Sequence, residues 1–96
     1  MEPKLGQIVY SKMGRDKGKY FVIVQIIDDE YVYIADGNVR RMDRPKKKKI
    51  KHLVLTSEII HPIAEKIKAG RKVNNVEIRN SVADLCEKFA ANKKVL

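Results

Sequence analysis

The sequence predicts a mostly β fold with C-terminal helices: five short strands curled into a small barrel, followed by two short α-helices. Three observations carry that prediction. Tyr20 to Ile27 is β-branched or aromatic at nearly every position, with Gln25 the one polar residue. A strand apolar on both faces needs cover on both, so it belongs at the centre of a sheet. Short apolar runs separated by tight-turn signals fill the first fifty-five residues, as small curled sheets require. The apolar spacing then changes to a helical period over the last forty residues.

The elements follow in order. Leu5 to Met13 is a short strand entered through Gly6, with Ile8, Val9, Tyr10 and Met13 as its apolar members. Gly14-Arg15-Asp16-Lys17-Gly18 is a polar loop whose glycines take positive φ cheaply. The central strand Tyr20–Ile27 comes next, closed by a turn at Asp28-Asp29-Glu30. A third strand spans Tyr31 to Ala35, and Asp36-Gly37 is a tight-turn signal that makes Val39 to Met42 the returning strand. Pro45 has no N–H to donate and ends that ladder, which leaves the lysine run in a connection. His52 to Leu55 is the fifth strand. Thr56 or Ser57 offers one helix start and His61-Pro62 another, with Pro at a first helical position and Gly70 as the stop. Asn75 is placed to cap a second helix, in which Ile78, Val82, Leu85 and Phe89 form one apolar stripe bordered by Cys86. These helices are the expected second cover for the central strand. The expected organisation is a single compact domain, with the barrel over residues 1–57 and a helical extension over 58–96 packed on it.

With 96 residues, one domain of modest core is expected. No run of about 18 apolar residues is present to span a membrane, and the N-terminal Met1-Glu2-Pro3-Lys4 has no signal core. One cysteine builds no internal disulfide framework and fits a reducing, cytoplasmic compartment. The charge is concentrated. The chain has 21 Lys and Arg against 12 Asp and Glu, a net +9. Between Arg40 and Lys51, eight cations (Arg40, Arg41, Arg44, Lys46, Lys47, Lys48, Lys49, Lys51) stand against Asp43 alone, which leaves the rest nearly balanced. Like-charge blocks of this size mark polyanion-binding segments more often than plain solvated faces. Pro45 to Lys51 also matches a nuclear localisation pattern, although phosphate binding alone accounts for such a run.

No constellation points to catalysis. Gly14 to Lys19 is one residue short of a phosphate-binding P-loop, has Tyr20 where a hydroxyl should bind metal, and leads into a strand, where a P-loop needs a helix N-terminus. His52 and His61 have no nucleophile or acid in a triad context, and the Asp28-Asp29-Glu30 carboxylates read as a solvated turn. Cys86 reads as a small core hydrophobe. With one Cys and two His, a structural zinc site is not expected, nor is a cofactor, a small-molecule substrate or an enzyme.

The Gly-led strand (Gly6, Ile8, Val9), the loop Gly14 to Gly18 and the apolar strand behind it resemble a KOW motif. Together with Asp28, Asp36-Gly37, Val39-Arg40-Arg41, the basic connection and His52-Leu53-Val54-Leu55-Thr56, roughly residues 4 to 60 resemble the large-subunit ribosomal protein family designated L-fourteen-e and its small bacterial relatives. The resemblance implies an SH3-like β-barrel that binds RNA, usually ribosomal RNA of the large subunit, in a ribosomal or ribosome-associated protein. It also implies, as the alternative, a KOW protein-interaction module docking on RNA polymerase or on a ribosomal protein. The RNA contacts it implies are Arg15, Lys17 and Lys19 in the glycine loop, and Arg40, Arg41, Arg44, Lys46, Lys47, Lys48, Lys49, Lys51 and His52 in the basic segment. Lysine suits phosphates as a flexible point charge, whereas the arginine fork also pairs bidentately or stacks. Among the aromatics, Tyr20 beside the loop is the candidate for stacking on an unpaired base.

Overall fold

A computed structural model describes residues 2–95, with side chains described for residues 2–88. The strands are β1 (Gln7–Ser11), β2 (Tyr20–Ile26), β3 (Tyr31–Ala35), β4 (Lys46–Lys49) and β5 (Leu53–Ile59), with a 3-10 turn at Ile50–His52 before β5. Two helices follow, α1 (His61–Lys68) and α2 (Asn75–Val95). All strand pairings are antiparallel, and the sheet order is β4-β3-β2-β1-β5. As expected, β2 is central.

Curvature follows from connectivity. β4 and β5 are the two outer strands, about 19 Å apart if the sheet were flat. The chain from Lys49 to Leu53 reaches at most about 14 Å, so the sheet must curl to bring its edges together. It does not close into the expected barrel: among the described residues no ladder joins β4 to β5. The 3-10 turn fills the gap between the edges. Its Ile50 amide donates to the Glu30 carbonyl, and its His52 carbonyl accepts from the Lys12 amide.

Alternation along the strands sorts the core into two clusters. Val9, Phe21, Ile23, Val32, Ile34 and Leu53 fill the inner face of the curl. Ile8, Val22, Val24 and Ala35 point to the other face, where Ile63, Val73, Ile78 and Leu85 cover them. The helices therefore supply the second cover that the central strand demands. Ile78 and Leu85 are buried and Val82 half-buried, whereas Phe89 lies outside the described side chains.

Five local expectations are corrected. Val39 to Met42 is a loop, because its polar groups are engaged elsewhere: the Asp36 carboxylate accepts from the Asn38 and Arg40 amides, and the Met42 amide donates to Asn75 Oδ1. The returning strand is the lysine run itself, which therefore does not lie in a connection. Thr56 and Ser57 do not start a helix. They lie within β5, where Thr56 Oγ1 donates to the Ile8 carbonyl and Gln7 Nε2 to the Thr56 carbonyl across a register shift between Gln7 and Val9; the helix starts at the second expected place, His61-Pro62. Finally, Asn74 caps α2 by accepting from the Glu77 amide at 2.8 Å, which frees Asn75 to hold Met42, and at 21 residues α2 is not short. Gly37 sits where α2 docks. With φ +76°, it would place a Cβ 2.2 Å from the Asn75 carbonyl oxygen, so any side chain would force the loop off the helix.

Candidate nucleic-acid interface

Pairing of β4 with β3 sets Lys46 opposite Ile34, Lys47 opposite Tyr33, Lys48 opposite Val32 and Lys49 opposite Tyr31. Directly opposite residues share a face, so the four lysines split two and two. Lys47 and Lys49 lie over the Tyr31 ring, their ammonium nitrogens 4.7 and 5.9 Å from its centroid. Such contacts contribute about 0.5–1 kcal/mol each at exposed sites and offset part of the mutual repulsion. Lys46 and Lys47 are exposed and Lys49 is half-buried. Lys48 departs from the expected contact role. It is only 8% exposed, and its Nζ donates to the Met13 carbonyl at 2.6 Å, strutting β4 against the loop that follows β1. Among the described residues no carboxylate lies within ion-pair distance of any of the four.

The same strut brings the glycine loop alongside β4. Gly14 and Gly18 both have positive φ (86° and 88°), and the chain between them folds back so that the Lys19 amide donates to the Asp16 carbonyl. Arg15, Lys17 and Lys19 are left exposed and without ion pairs among the described residues. Asp16 points the other way. It is 3% exposed, and its Oδ2 accepts from Nε of Arg40 at 3.0 Å, with Nη2 also 3.0 Å away in the same ion pair. Arg40 is therefore occupied in fastening the β3–β4 connection to the glycine loop. Arg41 and Arg44 are exposed; Arg41 lies 3.9 Å from Asp43 in an open, weak pair.

Around the 3-10 turn, Lys12, Lys48, Lys49 and Lys51 all act on His52. Loss of hydration and then the charges of Lys51, Lys48, Lys49 and Lys12 lower its pKa from 6.5. Neutral at pH 7, the imidazole is a proton acceptor inside a cationic ring, and it gains its proton more readily once an anion is present. Lys12 was not among the expected contacts. It is an isolated cation in the sequence, and only the pairing of Ser11 with Leu53 brings it to His52. Asp29 and Glu30 border the other side of this region, forming with Lys49, Ile50 and Lys51 a hollow of about 410 Å³ of mixed charge.

Tyr20 does not present a free ring. It is half-buried against the helix-covered core, edge-on to Tyr10 at 5.1 Å between centroids. Burial, Cys86 and Tyr10 together raise its pKa. The aromatic at the cationic surface is Tyr31, beneath two lysines. Cys86 is half-buried with its thiol pKa raised by burial, as a packing residue would be. No group of three or more His, Cys, Asp or Glu among the described residues is arranged to hold a metal ion.

No protein-family model matches the chain. The chain is 25% identical over 79 residues, 82% of its own length and 87% of the relative's, to the large ribosomal subunit protein eL14 of Methanococcus vannielii. This is a distant likeness to a ribosomal protein. A stretch of that length in a 96-residue chain necessarily includes residues 18–79, so it takes in β4, the 3-10 turn, α1 and the start of α2. The likeness therefore runs past residue 60, where the resemblance read from the sequence stops.

Proposed function

We propose that this chain is a non-enzymatic protein that binds structured RNA through phosphates, with large-subunit ribosomal RNA as its target. Its place is in or on the ribosome in the cytoplasm. The carrying observation is β4: adjacent lysines on a sheet edge, three of them accessible, none neutralised by a carboxylate among the described residues. The glycine loop with Arg15, Lys17 and Lys19, the exposed Arg41 and Arg44, and the Lys12, Lys51 and His52 group extend that edge into a cationic surface. Distant likeness to eL14 supports the ribosomal assignment. The strand order, with β1 to β4 as a meander and β5 returning beside β1, supports reading the sheet as SH3-like and Leu5 to Ile27 as a KOW motif. In this reading the strand part binds and the helices α1 and α2 brace it.

Phosphate binding by flexible cations follows counterion release. If about six cations engage, affinity for a ribosomal RNA fragment falls on the order of 10³-fold between 50 and 200 mM salt. Filter binding across that range tests the reading, and a flat response would overturn it. Replacing Lys46, Lys47 and Lys49 with Gln is expected to weaken binding to all sequences alike and to lower the salt slope by about three.

A further inference from the structure

A second surface lies at the far end of the β1–β5 pair. Lys12 and His52 stand where Ser11 pairs with Leu53; six residues further along β5, about 20 Å away, Gln7 pairs with Ile59. Beside that end is a hollow of about 440 Å³ floored by Leu5, Ile26 and Ile59 and rimmed by Lys4, His61 and Lys68. Its walls are set. The Lys4 amide donates to Gln7 Oε1 and the Gln7 amide to the Lys4 carbonyl, which pins the N-terminal arm. His61, Ala64 and Lys68 fall at steps of three and four, so they form one stripe on α1 facing the hollow. Ile26 is left 40% exposed at the last position of β2, an unusual expense for a central strand. No carboxylate lines the hollow, and neither Lys4 nor Lys68 has an ion pair among the described residues.

We infer that this hollow receives an acidic peptide segment of a protein partner, one that presents an aliphatic side chain flanked by carboxylates. Charge complementarity selects the flanks and the aliphatic floor selects the central side chain. A nucleic acid fits less well, because an unpaired base seeks an aromatic platform and the floor has none. The assignment is independent of the RNA reading: it uses a different end of the sheet and no residue of β4. Its consequence is a two-ended protein that holds RNA at one end and an acidic protein segment at the other.

The test is an amide NMR titration of the full chain with the peptide acetyl-Glu-Glu-Leu-Leu-Glu-Glu-amide. A control peptide carries Ser in place of both leucines. Resonances of Leu5, Ile26, Ile59 and Ala64 are expected to shift with the first peptide and not with the control. The double variant Lys4→Gln, Lys68→Gln, which changes only exposed side chains, is expected to bind it about tenfold more weakly with unchanged amide dispersion. Shifts confined to Lys46–Lys51, equal shifts with the control, or none up to about 1 mM peptide would overturn the inference. Displacement of the peptide by a ribosomal RNA fragment would also overturn it, by making the hollow part of the nucleic-acid surface. The salt slope of RNA binding, measured on the same variant, is expected to stay unchanged and so separates failure of this inference from failure of the RNA reading.

Discussion

Asp16 and Arg40 carry the clearest energetic consequence at the scale of single residues. A nearly buried carboxylate held by one guanidinium is costly to orphan, because the charge left behind has lost its water. Arg40→Ala, which leaves that carboxylate unpaired, is therefore expected to lower stability by roughly 1–3 kcal/mol in urea unfolding. Arg41→Ala, which breaks only an exposed 3.9 Å pair, is expected to change it by less than about 0.5 kcal/mol. His52 gives the pH dependence. Its pKa is lowered in the folded chain, so protonation favours the unfolded state. Stability is unaffected well above pH 6.5 and declines as pH falls through 6.5 toward the lowered value. For the proposed RNA binding the expectation is the opposite, because phosphate favours the imidazolium. Affinity measured between pH 7.5 and 5.5 is expected to rise on acidification, and His52→Gln is expected to abolish the rise.

Among the elements, β4 shows where sequence reasoning stops. Period-two alternation identifies a strand only when its faces differ in composition, and four identical lysines carry no period. Lysine is also a poor strand former, so a connection is the natural reading. Position resolves this: β4 is an edge strand, and lysine is a common device for keeping an open edge from pairing with another chain. Edge protection and phosphate binding separate experimentally. Replacing Lys46, Lys47 and Lys49 with Glu keeps the edge charged, so light scattering is expected to show no aggregation while RNA binding is lost. Replacing Lys48 with Met removes the strut to Met13, and the main effect is expected on thermal stability. By contrast, β2, β3 and α1 were legible because their apolar residues and turns act locally. The cap of α2 was legible to within one residue; only the long-range bond from Met42 to Asn75 decides between the two asparagines. Gly37→Ala tests that docking. The clash with α2 is expected to cost several times the roughly 1 kcal/mol of an unobstructed positive-φ glycine.

For the whole molecule, the sequence located the charge excess and the β-to-α change, and both hold in three dimensions. What it could not supply was the distribution of roles within the charged set. Twelve residues between Arg40 and Lys51 read as one basic block, yet Arg40 is paired to Asp16 and Lys48 is buried against Met13, while Lys12 reaches His52 from the loop that follows β1. Such assignments depend on which loops meet, and that is decided by pairing across forty residues. The candidate interface is consequently assembled from four separate segments that a fragment would not reproduce. A peptide spanning Arg40 to Lys51 alone is expected to bind RNA with a similar salt slope but lower affinity than the full chain, because it must be ordered on binding.

The three-residue 3-10 turn has one more implication. Since it spans a gap that a flat sheet would not allow, it works as a clasp whose length dictates the curvature. Two glycines inserted after Lys51 would let the outer strands drift apart. Lys12 and His52, held together at the β1–β5 end, would then part from the lysines of β4, and one cationic cradle would become two independent basic ribbons.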